Sequence, residues 1–252
     1  MSDQPVGAPA DPANNPSNDL ATDAARDPLV QRLRRLDACA VSDALDKFGV
    51  PGVVTGLQQR SGPGRVAGRA VTMQVGPGNP RPGPPLHLGC SAIAAAGPDH
   101  VIVVEQRSGV EAGCWGGLLT LGAKVRGVEG VVADGPLRDV DEAMAYEFAV
   151  WSRSLTSRTA RGRVVELGTQ VPITMGAGPA AGGQVTVQPG DYVLADRSAV
   201  IFIAPADIER VLAAAETIVA KEAAMAEAIL AGTPIGEVMG GSYEHMLKKD
   251  GE

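Results

Sequence analysis

Between residues 66 and 139, short runs rich in valine and isoleucine alternate with stretches of helical periodicity, and this alternation restricts the fold more than any other feature of the chain. Residues 66–75 alternate small and apolar side chains and predict a strand. Residues 100–105 (HVIVVE) and 130–133 (GVVA) predict buried strands. Helices are predicted over 86–96, over about 115–126 with Gly127 as a C-terminal cap, and from Asp139 onward. Later strands are predicted over 148–151, 164–166, 184–187, 191–195 and 199–204, before a long helix over about 206–231. Alternation followed by clustered short strands predicts a layered α/β domain rather than a regular doubly wound sheet. Aromatic residues make up only 3% of the chain, so its core is built from Val, Ile, Leu and Ala.

Residues 1–27 are rich in Pro, Asn, Asp, Ala and Ser without apolar periodicity, and are predicted to be a disordered tail. Residues 28–252 are expected to form a single domain. Its first helical pattern uses Leu29, Leu33 and Leu36, and its second runs from Ser42 as N-cap to Gly49. Residues 76–85 hold five prolines and three glycines, which predicts a loop.

The net charge of −7, with no basic run longer than two residues, argues against a nucleic-acid surface. Cys39, Cys90 and Cys114 are odd in number and widely spaced, a pattern for free thiols rather than a disulfide framework. With His87, His100 and His245 the only histidines, a His-rich zinc site is not expected. No signal peptide or membrane span is evident, so a cytoplasmic protein without membrane contact is expected.

Two fragments carry chemistry. In Trp115-Gly116-Gly117-Leu118-Leu119 the glycines fall where a helix begins. The amides of Gly117, Leu118 and Leu119 then lack helical acceptors and suit a carboxylate; the same glycines also suit a tight turn. The second fragment is a strand ending in Gly135-Pro136 and delivering Arg138 and Asp139, where open α/β sheets gather ligands. Arg138 offers a planar cationic fork and Asp139 a hard oxygen ligand for a divalent cation. Asp139 followed by Glu142 is equally the spacing of a helix capping box, and both readings stay open at this point.

The sequence resembles the RraA-like family, which includes the 4-hydroxy-4-methyl-2-oxoglutarate/4-carboxy-4-hydroxy-2-oxoadipate aldolases and a ribonuclease regulator. The resemblance spans roughly residues 30–245. It rests on the order and spacing of residues 41–45 (VSDAL), 64–68 (GRVAG), 116–119 (GGLL), 126–130 (RGVEG), 134–141 (DGPLRDVD) and 187–191 (VQPGD). The implied fold is a layered β-β-α sandwich similar to swivelling phosphohistidine domains. The implied activity is class II pyruvate aldolase chemistry with Mg2+ or Mn2+, including oxaloacetate decarboxylation. The resemblance places the metal on Asp139, substrate oxygens on Arg138, and the pyruvyl carboxylate on the amides of Leu118 and Leu119, next to Gly116 and Gly117. It implies a homotrimer or homohexamer with sites between subunits.

Two departures stand out. The family's aldolases carry an acidic residue directly before the Leu-Leu pair, where this chain has Gly117, and their Gly-Asp-Asn loop reads Gly78-Asn79-Pro80 here. Glu222 is a candidate second acidic group. It falls within an apolar stripe of Ile208, Val211, Ala215, Ile218, Met225 and Ile229, and the resemblance implies such a residue reaches the neighbouring subunit's metal. A rim position reaching solvent is the other reading of Glu222. The same family contains non-catalytic, protein-binding regulators of a ribonuclease, which is the alternative function expected here. The Pro-rich loop and Trp115 leave a different substrate as a third.

Overall fold

The computed structural model describes residues 26–79, 86–178 and 183–240. The expected disordered tail lies, up to residue 25, outside the described residues. Arg26 and Asp27 are already ordered, because Arg26 Nη1 pairs with Asp99 and Glu129 and Asp27 caps the first helix. The C-terminal stretch 241–252 of the expected domain, and residues 80–85 of the Pro-rich loop, also lie outside them.

The described elements are α1 (Pro28–Leu33), α2 (Ala38–Phe48), β1 (Val53–Val54), β2 (Gln58–Ser61), β3 (Val66–Gly76), α3 (Cys90–Ala95), β4 (His100–Glu105) and α4 (Gly117–Val125). They continue with β5 (Gly130–Leu137), α5 (Val140–Ala145), β6 (Val150–Leu155), β7 (Val165–Thr169), β8 (Ile173–Gly178), β9 (Gly183–Val187), β10 (Tyr192–Ala195), β11 (Val200–Ile203), α6 (Ile208–Leu230) and α7 (Ile235–Val238). Helix α2 starts four residues before Ser42, because Asp37 accepts from the Ala40 amide and caps it there. The helix expected over 86–96 shrinks to six residues. β1, β2 and β8 went unpredicted: β1 has two residues, β2 is polar (QQRS), and β8 contains glycine.

A nine-stranded sheet runs in the order β1-β11-β10-β3-β4-β5-β6-β2, with β7 added to β3. Its centre, β3 to β6, is parallel, and α3, α4 and α5 connect the successive strands. Burial along β4 and β5 is nearly continuous, as expected when both faces of a parallel sheet are covered. On one face Ile102, Val104, Val131 and Ala133 pack with residues of α3, α4 and α5. Leu194, Ile201 and Ile203 pack with α1, α2 and α6. On the other face Val101, Val103, Val132 and Trp151 pack against Ile173, Met175, Val185 and Val187 of the β8–β9 hairpin. Helices, sheet and hairpin thus form the α-β-β layers of the expected sandwich.

One buried carboxylate joins these layers. Asp134 on β5 accepts from Arg153 Nε of β6 at 2.7 Å and from the Gly176 amide of the hairpin at 2.7 Å. Among the described residues no helix is long and apolar enough to cross a membrane.

Candidate functional site

The two chemically loaded fragments meet because β4 and β5 are parallel neighbours. The connection leaving β4 and the end of β5 therefore emerge side by side. They are laced together: the Cys114 amide donates to the Pro136 carbonyl at 2.9 Å, and the Arg138 amide to the Trp115 carbonyl at 3.0 Å. This zipper sets the first turn of α4 directly against the first residues after β5.

The amide of Thr120 is the first in α4 with a helical acceptor, donating to the Gly116 carbonyl. The Gly117 amide is taken by Asp139 Oδ2 at 3.1 Å. No acceptor among the described residues reaches the amides of Leu118 and Leu119. Of the four residues expected to bind substrate here, Gly116 is the extended N-cap, Gly117 is committed to Asp139, and only the Leu-Leu pair presents free donors. A Cβ on Gly116 would stand 2.8 Å from Asp139 Oδ2, so that glycine makes room for the carboxylate.

Asp139 stands immediately before α5 with φ +57°, a left-handed conformation that Asp and Asn tolerate better than most residues. Its side chain makes no capping bond to α5, so the capping-box reading fails; the carboxylate faces α4 instead. Arg138 Nε lies 3.6 Å from Asp139 Oδ1 without a hydrogen-bond partner, and both side chains are 34% exposed. The Arg138 stem lies over Gly113, where a Cβ would come within 2.3 Å of its Cγ.

These groups line an open cleft of about 220 Å³, whose remaining wall includes His87, Thr159 and Arg161. Gly113 and this wall were missed by sequence reasoning, because they come from irregular segments with no periodic signal. Trp115 is buried, and its indole N–H donates to Thr120 Oγ1 at 3.1 Å, a packing role. The Cys114 thiol is pushed up to about 12 by burial, which removes it as a nucleophile. All three cysteines are free.

Glu222 is absent from the cleft within one chain. The expected apolar stripe of α6 is buried only as far as Ile218, beyond which the helix is largely exposed. The reason is length: at about 1.5 Å per residue α6 outruns α2, on which it packs. Burial and the carboxylates of Asp37 and Asp43 push the Glu222 carboxyl above its usual range.

Among the described residues no three His, Cys, Asp or Glu side chains stand together as a metal cage. What the cleft offers is a hard carboxylate, Asp139, with lone pairs beyond its single backbone bond. That donor set suits Mg2+ or Mn2+, which accept one or two carboxylates and take other oxygens from water and substrate. It does not suit a structural zinc ion.

Residues 38–202 match the protein family described as RraA-like, Aldolase/RraA. The chain is 28% identical over 206 residues to a protein of Halalkalibacterium halodurans named as a candidate 4-hydroxy-4-methyl-2-oxoglutarate aldolase, covering 80% of this chain and 88% of that one. It is 27% identical over 175 residues (69% of this chain) to Protein DlpA of Legionella pneumophila. The matches span 27% of the length of DlpA and 58% of that of another curated relative. Among solved structures, an uncharacterized protein of Pseudomonas syringae superposes with a TM-score of 0.72 at 25% identity, covering 84% of this chain and 96% of that one. Streptomyces coelicolor RraAS2, described as an unusual member of the RNase ES inhibitor RraA protein family, shares the fold with a TM-score of 0.64 at 24% identity, covering 75% and 90%.

Proposed function

This chain belongs to the RraA-like family, and from that premise we propose that it is a divalent-metal-dependent lyase acting on small 2-oxo acids. The reaction is retro-aldol cleavage of a 4-hydroxy-2-oxo diacid to release pyruvate, with decarboxylation of oxaloacetate as a second outlet of the same chemistry. One observation carries the reading: two amides without acceptors, those of Leu118 and Leu119, open on the same cleft as Arg138 and Asp139.

Each group has a role that follows from its chemistry. The Leu118 and Leu119 amides, at the positive end of α4, receive the substrate carboxylate. Asp139 holds the cation, and Gly117 and Arg138 hold Asp139. When bound, Mg2+ or Mn2+ supplies a Lewis acid that withdraws charge from the 2-oxo group. The Arg138 fork stabilises negative charge as the carbon–carbon bond breaks and an enolate forms. Proton transfer is assigned to water rather than to a side chain.

The test is pyruvate release from oxaloacetate and from hydroxylated 2-oxo diacids, with Mn2+ or Mg2+ and after chelation. Metal-dependent release is expected, abolished by chelator and restored by added metal. No release from any of these substrates would move the conclusion to the other reading, a non-catalytic regulator that binds a ribonuclease, which the absence of an acidic side chain at Gly117 favours.

The reading includes a cytoplasmic homotrimer or homohexamer. Support comes from apolar side chains left uncovered beside the site, Leu118 (83% exposed) and Val125 (79%) on α4, and on the far end of α6, Leu230 (88%). In this reading the Glu222 that the family resemblance assigns to the metal is contributed by such a neighbour. Light scattering of the purified chain decides this, and a monomer at micromolar concentration removes it.

A further inference from the structure

We propose that His87 recognises the 4-hydroxyl of the substrate, accepting its hydrogen at Nε2, and thereby sets the preference of the cleft for aldol cleavage over decarboxylation of oxaloacetate. The inference rests on the lyase reading above and adds a specificity residue to which that reading gives no role.

The imidazole is held by its own segment. His87 Nδ1 lies 2.8 Å from the Leu88 carbonyl oxygen. A carbonyl can only accept, so Nδ1 carries the hydrogen, and the neutral ring is left with Nε2 as a bare acceptor. Nε2 has no hydrogen-bond partner among the described residues. Leu88 is buried, and Gly89 follows in the left-handed region at φ +85°, with its amide donating to Glu166 Oε2 at 2.9 Å. Thr169 Oγ1 donates to Glu166 Oε1 at 2.6 Å and steadies that anchor on β7. A Cβ on Gly89 would stand 3.0 Å from Leu119 Cδ1 and 3.3 Å from the Trp115 ring, so the segment carrying His87 lies close against the start of α4.

The chemistry of the cleft is otherwise one-sided. Its free amides, Arg138 and Arg161 are donors, and a bound cation attracts lone pairs, so a substrate hydrogen finds few acceptors. Three side chains on the wall can accept: Asp139, Thr159 and His87. Asp139 is committed to the Gly117 amide and, in the reading above, to the cation. Thr159 Oγ1 takes the Arg161 amide at 3.3 Å. Among the three, His87 keeps the uncommitted acceptor. A 4-hydroxy-2-oxo acid brings a hydroxyl hydrogen that needs such a group, and oxaloacetate lacks it. A site built to hydrogen-bond a substrate hydroxyl disfavours the analogue without one, because its own polar group is then left unpaired. The role is recognition; the proton itself leaves through water, as above.

The experiment compares kcat/KM for pyruvate release from 4-hydroxy-4-methyl-2-oxoglutarate and from oxaloacetate, with Mn2+ present, in the full wild-type chain, His87→Phe and His87→Gln. His87→Phe is expected to lower the value for the hydroxylated acid by about tenfold or more beyond any change for oxaloacetate, the scale of a lost hydrogen bond to a hydroxyl. His87→Gln returns an acceptor oxygen and is expected to recover most of the ratio between the two substrates. A merely structural role would lower both activities together. An equal change for both substrates in His87→Phe, or a ratio in His87→Gln as low as in His87→Phe, overturns the role of His87 and leaves the lyase reading standing. A wild-type chain that releases pyruvate from neither substrate overturns both.

Discussion

At the scale of single residues, Asp139 combines backbone and side-chain demands that can be separated. Its left-handed φ of +57° is tolerated by Asn, so Asp139→Asn removes the charge and keeps the turn. Pyruvate release is expected to fall by about a hundredfold or more, the scale of losing one electrostatic stabiliser, while circular dichroism stays unchanged. Arg138→Lys keeps the charge and loses the fork, and kcat in the same assay is expected to fall in that same range. Asp134 has a different duty. Its buried carboxylate joins β5 to β6 and to the hairpin, and Asp134→Ala strands Arg153 and the Gly176 amide. A loss of about 3 kcal/mol is expected in urea unfolding. Residue types in the two loaded fragments were readable from sequence, but the choice between capping box and ligand for Asp139 was not. That choice depends on the Gly117 amide, 22 positions away.

At the scale of elements, α6 is tied to α1 by a two-pronged pair, Arg32 Nε to Glu216 Oε1 and Nη2 to Oε2, each at 2.8 Å. The hydrogen bonds from Arg32 hold the Glu216 carboxyl below its ordinary value of 4.5. A carboxyl depressed on folding stabilises above its unfolded pKa and loses that contribution as pH falls through the folded value. Arg32→Ala is therefore expected to cost stability at pH 7 and progressively less as pH drops below about 4. Both side chains are about two-fifths exposed, so the effect is held to about 0.5 kcal/mol. Paired thermal melts at pH 7 and pH 3.5 check it; an equal loss at both would assign the effect to packing of the Arg32 stem. Helical periodicity located α6 to within a few residues. It could not say where burial stops, because that is set by the length of α2 opposite.

At the scale of the molecule, the uncovered side chains of α4 and of the far end of α6 bear on assembly. Val125→Asp and Leu230→Asp are expected to shift the chain toward smaller species in sedimentation velocity, with the fold retained by circular dichroism; unchanged sedimentation would leave these surfaces without a partner. The layered α/β class and most strands were legible in the chain itself, whereas the parallel pairing at the centre of the sheet came from the structure. The Val- and Ile-rich runs and glycine stops of the strands encode local geometry and burial without reference to distant neighbours. Sequence also located the Gly-Gly-Leu-Leu and Arg-Asp fragments. Only the tertiary structure decided that β4 and β5 lie side by side and bring them together, and that Gly113 gives way to Arg138. Contacts of that kind depend on which strands pair and how helices lean over them, and spacing along a chain carries no record of distances across it.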